Sequence, residues 1–198
     1  GIVMVASVTI PLTDGSLSMA LNHILKLVVA FFVGLIVFRF SLEIWKIIDI
    51  GLILFSFFLL TLVFIPFIGY EANGASRWIR LFGFSFQPSE LMKFSLIVYI
   101  SSYCYRRMTE FKEKWIGFWK PVLVVVLAIA LVLLEPDLGS SAVIFLISLT
   151  IMFIAGAPLK QMSIILFMGS MVFVSMIILV PWRMQRILSF VDPWSAYG

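Results

Sequence analysis

Apolar residues run along this chain in blocks about one membrane thick, and the polar positions gather between the blocks. A helix that crosses a bilayer needs about 20 mainly apolar residues. On that rule Gly1–Ile10 is the outer half of a first span, and the second runs about Leu21–Phe40. The third covers about Ile47–Ile68, and the fourth starts at Pro88 and ends near Tyr105. The fifth starts at Pro121 and reaches Leu134, with an extension through Pro136 to Gly139 open to it. The sixth is about Ser141–Ala157 and the seventh about Gln161–Pro181. Proline suits the first turn of a helix, and Pro88 and Pro121 are both expected there. The outer loops are then about Pro11–Ala20, Gly69–Gln87, Glu135–Ser140 and Trp182–Gly198.

Composition agrees with the pattern. Of 198 residues 63% are apolar and only 12% charged, against about 25% charged in soluble domains. Mean hydropathy is +1.16. A soluble fold of this size leaves roughly a third of its chain surface in water, so a soluble enzyme and a nucleic-acid-binding domain are excluded. The blocks do not alternate polar with apolar, which excludes an outer-membrane barrel. The expected fold is an all-α polytopic helical bundle, forming one transmembrane domain over residues 1–198. The chain begins at Gly1 within an apolar run and stops at Gly198 in a polar, aromatic stretch, so it is expected to be cut from a longer protein. The lone cysteine, Cys104, permits no intrachain disulfide and is expected to be a small buried hydrophobe.

Charge sets sidedness rather than partner. One set of loops holds Arg39, Lys46, Arg106, Arg107, Lys112, Lys114, Lys120 and Lys160; the other holds Arg77, Arg80, Arg183 and Arg186. Cytoplasmic loops carry the excess of Lys and Arg. The loop after Gly69 and the C-terminal tail therefore face outward.

Polar residues at membrane depth cost about 2.5–3.5 kcal/mol on insertion scales and so mark cavities or partners. The densest stretch is YEANGASRWIRLFGFSFQPSELMK, Tyr70–Lys93. Asn73-Gly74 signals a turn. Arg77, Trp78 and Arg80 with Phe82, Phe84 and Phe86 suit a loop at headgroup level, where guanidinium groups meet phosphates or simply anchor. Gln87, Glu90 and Lys93 are three apart and share a helix face. Glu90 and Lys93 are placed to pair, either as a structural bridge or in an outward cavity whose lysine meets an anionic substrate. Glu135 and Asp137 flank Pro136 in the next outer turn, as a solvated turn or as paired carboxylates for acid–base work. Arg183 and Arg186 could hold a lipid phosphate. His23 and Lys26 lie near the outer end of the second span, where nothing supplies further metal ligands.

Five motifs in order carry a resemblance: NGASRWI (Asn73–Ile79), QPSELMK (Gln87–Lys93), EPDLGSS (Glu135–Ser141), AGA (Ala155–Ala157) and FVDPW (Phe190–Trp194). Together they resemble the SEDS family of shape, elongation, division and sporulation proteins, over essentially the whole chain. The FVDPW end and the MVASVTIP start look more like the cell-division branch than the elongation or sporulation branches.

The resemblance implies a ten-span protein of the bacterial inner membrane, of which about seven spans are present here. It implies polymerisation of lipid II into peptidoglycan outside the membrane, at the division septum, with a class B penicillin-binding protein and other division proteins. Residue by residue, Arg77 and Trp78 match the outer-loop arginine and tryptophan. Glu90 and Lys93, beside Gln87, match the cavity pair, and Asp137 matches the aspartate of the short turn. These are the candidate substrate-binding residues. The family's catalytic aspartate is expected beyond Gly198, so no catalytic residue is assigned within these residues, and Asp192 belongs to the FVDPW motif. Many relatives have glutamine where Glu135 stands. No cofactor is identified, although a divalent cation near Asp137 is open. Expected contacts are lipid II, the penicillin-binding protein and membrane lipid, and no nucleic acid. The competing expectations are a lipid II flippase and a non-catalytic division scaffold with small residues such as Gly34, Gly51 and Gly169 at helix contacts.

Overall fold

The structure is a computed structural model that describes Met4 and residues 18–65, 69–72, 75–81, 84–181, 183 and 184. The chain divides into two compact units, Gly1–Trp45 and Lys46–Gly198. In the first unit α1 spans Ser18–Arg39. It is apolar beyond Lys26, as suits a helix in lipid, and Arg39 in its last turn complements the helix dipole. Phe40 and Trp45 pack their rings 5.9 Å apart after it. The next helix, α2 (Leu42–Leu62), begins in this unit and runs into the second.

The second unit continues with three strands, β1 (Gly69–Ala72), β2 (Ala75–Leu81) and β3 (Phe84–Phe86). Five helices follow: α3 (Pro88–Arg106), α4 (Met108–Glu113), α5 (Trp115–Leu134), α6 (Leu138–Ile154) and α7 (Leu159–Ile178). Among the described residues α2, α5 and α7 are long and apolar enough to cross a membrane, and α6 is a shorter apolar helix. The chain is a polytopic helical membrane protein. Its core lies between α3, α5 and α6. Met92, Leu96 and Ile100 recur every four residues along α3 and are fully buried against Phe118, Val125 and Val132 of α5 and Ile144 of α6. Phe111 of the short α4 is fully buried and stacks on Phe118 at 5.7 Å. Cys104 is free and buried, as expected.

Several boundaries differ from the sequence reading. The half-span at Gly1–Ile10 lies outside the described residues except Met4. The third span starts at Leu42 and ends at Leu62 rather than Ile68, because the chain turns through Val63–Ile65 toward the sheet. The stretch after Gly69, read from the sequence as an outer loop at headgroup level, carries three strands in an antiparallel meander ordered β1-β2-β3. Ala72 pairs with Ala75, so β1 and β2 are joined by two residues, 73 and 74, which lie outside the described set. Pro88 opens α3 as expected. Pro121 does not open α5; it lies inside the helix, which starts at Trp115. A proline there leaves the carbonyl four residues earlier without its donor. That carbonyl belongs to Gly117, and it accepts a 2.8 Å bond from the Tyr103 hydroxyl of α3 instead. The extension through Pro136 does not occur either. α5 ends at Leu134, the Glu135 and Asp137 amides both donate to the Val132 carbonyl, and Asp137 starts the next helix.

Candidate functional site

The polar residues of the outer layer come from three places: the sheet, the start of α3 and the turn between α5 and α6. Ile79 of β2 is buried and seats the strand. Two residues earlier, Arg77 reaches across to the turn. Its Nε donates to the Glu135 carbonyl at 3.0 Å and its Nη2 to the Pro136 carbonyl at 2.6 Å. The guanidinium fork thus binds the exposed carbonyls at the end of α5, which lack partners in the helix itself. Trp78 is half-buried on the same strand and pairs with Tyr70 across the ladder. The register shifts between Tyr70 and Glu71, so Arg77 is the extra residue of a bulge in β2, a feature that re-aims a side chain.

Gln87 precedes the helix and sends its Nε2 to Asp137 Oδ2 at 3.0 Å. The sequence reading put Gln87 with Glu90 and Lys93; the structure joins it to the turn. Asp137 caps α6. Its Oδ1 accepts from the Ser140 amide at 3.0 Å and its Oδ2 from the Ser140 hydroxyl at 2.8 Å. An aspartate cap satisfies an orphan amide and complements the positive helix end. The Ser141 hydroxyl adds a 2.8 Å bond to the Asp137 carbonyl. With three donors on its carboxylate, Asp137 is a structural joint between the α6 cap and the entry to α3.

Glu90 and Lys93 do pair, with Nζ 2.6 Å from Oε1. The lysine side chain is 18% exposed and the glutamate 58%. The lysine therefore sits mostly sheltered, with its one carboxylate partner on the open side. Such a charge at the membrane edge, held by an exposed partner, can exchange that partner for an anion.

Glu135 is the exception in this layer. It is 1% exposed, and neither carboxylate oxygen has a hydrogen-bond partner. Burial pushes its carboxyl up to about 8, the nearby Asp137 charge pushes the same way, and Arg77 opposes them. It is thus a neutral acid at neutral pH.

This donor set does not suit a divalent cation. Hard cations take six or more oxygens, whereas the Asp137 carboxylate is filled by donors and the Glu135 carboxyl is enclosed beside Arg77. Among the described residues no group of three or more His, Cys, Asp or Glu comes together. Of the remaining candidates, Arg183 bonds the Met176 carbonyl at 3.0 Å, and Arg186 lies outside the described residues. His23 is half-buried and Lys26 exposed on α1.

A second polar layer lies at the opposite end of the bundle, and sequence reading missed it. Asp49 of α2 is 1% exposed. Arg106 at the end of α3 meets it with Nη2 2.6 Å from Oδ2. Deeper in, the Ser56 and Ser95 hydroxyls bond at 2.5 Å. Glu110 of α4 bridges Lys120 at 2.6 Å and Arg107 at 3.3 Å. The Lys120 hydrogen bond, above all, holds the Glu110 carboxyl below its usual range. The only signal in the sequence was an acid, Asp49, inside an apolar block, which calls for a partner.

Comparison with known proteins places this architecture. The chain is 37% identical over 98% of its length to a protein of Aliivibrio salmonicida named "Probable peptidoglycan glycosyltransferase FtsW", covering 49% of that relative. The same name belongs to an Aeromonas salmonicida relative, 36% identical over 98% of the chain and 50% of its own length. The chain thus spans about half the length of these relatives. Among solved structures, a chain of a peptidoglycan synthase complex described as coordinating polymerization and crosslinking superposes with a TM-score of 0.72. It is 25% identical, over 98% of this chain and 56% of that one. The rod shape determining protein RodA of Thermus thermophilus shares the fold at a TM-score of 0.70 and 24% identity, over 86% of this chain and 56% of its own. The model of the FtsW–RodA–SpoVE family, described as cell cycle proteins, matches residues 1–197, and the chain belongs to that family.

Proposed function

We propose that these 198 residues are part of one transmembrane domain of a peptidoglycan glycosyltransferase that polymerises lipid II on the outer face of the bacterial inner membrane. The reaction is an inverting glycosyl transfer. The 4-hydroxyl of one lipid II attacks the anomeric carbon of the growing chain, the new glycosidic bond forms, and undecaprenyl pyrophosphate leaves. A carboxylate takes the hydroxyl proton; its place is in the part of the full-length protein outside these residues.

The observation that carries the reading is the sheltered Lys93–Glu90 pair, 2.6 Å apart, set in the outer polar layer. It lies in a chain aligned along nearly all its length with relatives named as glycosyltransferases. Lys93 meets the pyrophosphate as negative charge develops, which is where preorganised cations contribute most. Glu90 orients Lys93 until the anion replaces it. Arg77, held on two carbonyls, fixes β2 against the turn, and Trp78 pairs with Tyr70 next to it on the ladder. Gln87 and Asp137 tie that turn to the entry of α3 and so fix the depth of Lys93. The FtsW names of the relatives support action at the division septum with a class B penicillin-binding protein and other division proteins.

The test is to purify the full-length protein with its penicillin-binding partner, supply lipid II and resolve the products on a gel. A glycan ladder is expected. Absence of polymer, together with movement of labelled lipid II across reconstituted vesicles, would favour transport instead.

A further inference from the structure

The inner end of α5 opens onto a trough that glycosyl transfer does not use. Trp115, Trp119, Lys120 and Leu123 border its mouth, a space of about 510 Å³. Trp119, Val122 and Val126 also border the next space, of about 250 Å³, which continues between α5 and α7 along Met168 and Phe173. The Phe145 ring packs so closely on Gly169 that a side chain there would have to displace it. From Trp115 to Ile129 the trough follows α5 for about 21 Å, at about 1.5 Å per residue. One leaflet of hydrocarbon is about 15 Å deep. The trough thus runs from headgroup level through one leaflet. Its walls are apolar; the exposed Trp115 ring stands at its mouth, where interfacial tryptophans belong, and Trp119 lies deeper, between the two spaces.

The charge at that mouth is positive. Residues 106–120 hold five basic side chains against Glu110 and Glu113. Asp49 takes Arg106, and Glu110 is shared by Lys120 and Arg107. Lys114 is exposed beside Trp115, and no ion pair to it occurs among the described residues. The Lys and Arg excess puts this end on the cytoplasmic side, where anionic lipids give the surface its negative potential. We propose that the trough binds one acyl chain of an anionic glycerophospholipid of the cytoplasmic leaflet, with the headgroup phosphate between Lys114 and Lys120. The lipid-linked substrate is a different ligand, since its headgroup lies on the outer face in the proposed reaction.

The test uses the full-length protein in detergent micelles doped with mid-chain-brominated phosphatidylglycerol or phosphatidylcholine, reading tryptophan quenching. Phosphatidylglycerol should half-quench at a severalfold lower mole fraction, and Trp119→Phe should remove much of that quenching. Each lysine near the surface contributes about a fivefold preference, so Lys114→Gln with Lys120→Gln should bring the two lipids together. Both are exposed side chains, and Arg107 still pairs Glu110 in the double variant. Equal quenching by both lipids in the parent protein would overturn the proposal. So would a preference that survives the double variant, or a brominated polyprenyl phosphate that displaces phosphatidylglycerol at equal mole fraction.

Discussion

The outer and inner polar layers solve one problem in two ways. Both place charged side chains at the edge of an apolar bundle. The inner layer pairs them with each other: Asp49 with Arg106, and Glu110 with Lys120 and Arg107. The outer layer spends most of its polar groups on backbone: Arg77 on two carbonyls and Asp137 on the amide of Ser140. That leaves the Lys93–Glu90 pair at its open edge, with the carboxylate the more exposed partner. A layer closed by mutual ion pairs fastens helices. A layer closed by backbone bonds frames a charge that remains able to meet a ligand. Changes in the two layers should therefore have different readouts.

The largest expected effect is on activity. Lys93→Ala in the full-length protein should cut lipid II polymerisation by about a hundredfold or more, the scale of losing one preorganised charge-stabilising donor, with little change in thermal unfolding. The inner counterpart is Arg106→Ala, which leaves the Asp49 carboxylate, 1% exposed, without its ion-pair partner. Breaking a buried pair costs about 3–5 kcal/mol, and thermal unfolding in detergent should show it; full stability in that variant would remove the distinction between the layers.

Glu135 sharpens the comparison through pH. Its ordinary value is 4.5 and its folded value about 8. Between those values the folded protein keeps a proton that the unfolded chain has lost. The contribution of Glu135 to stability is therefore greatest below about pH 4.5, falls by up to about 1.4 kcal/mol per pH unit as pH rises to about 8, and is level above that. Glu135→Gln should remove this fall and keep polymerisation. Melting curves at pH 5.5 and 8.5 for both proteins would check it, and an equal fall in both would count against a neutral buried acid. The smallest effect belongs to Ser56→Ala. Hydrogen bonds between membrane helices average about 0.6 kcal/mol, so its unfolding should shift only slightly.

How far the sequence could be read depended on range. The helices were legible because hydrocarbon thickness dictates block length, and α1, α3, α6 and α7 lie within a few residues of expectation. The sheet was not, because its short strands are rich in aromatic and basic residues that also suit an interfacial loop. The start of α5 was misjudged because Pro121 is a better first residue than an interior one. Inside the helix it frees the Gly117 carbonyl, which Tyr103 serves, and that contact lies on another helix. In the candidate site, the Glu90–Lys93 pair followed from spacing. The Gln87–Asp137 bond joins residues fifty positions apart, and the Asp49–Arg106 pair joins residues 57 apart, so neither has a local signature. Arg77 stood out as a charge in the outer loop, but its carbonyl partners lie 58 and 59 residues away and have no local signature either.

The most direct test of the central claim is the polymerisation rate of the full-length Lys93→Ala protein beside that of Arg106→Ala, each corrected for the folded fraction with the same partner and lipid II. The account predicts that the corrected rate collapses for Lys93→Ala and stays near the parent value for Arg106→Ala. Equal corrected rates for the two variants would contradict it.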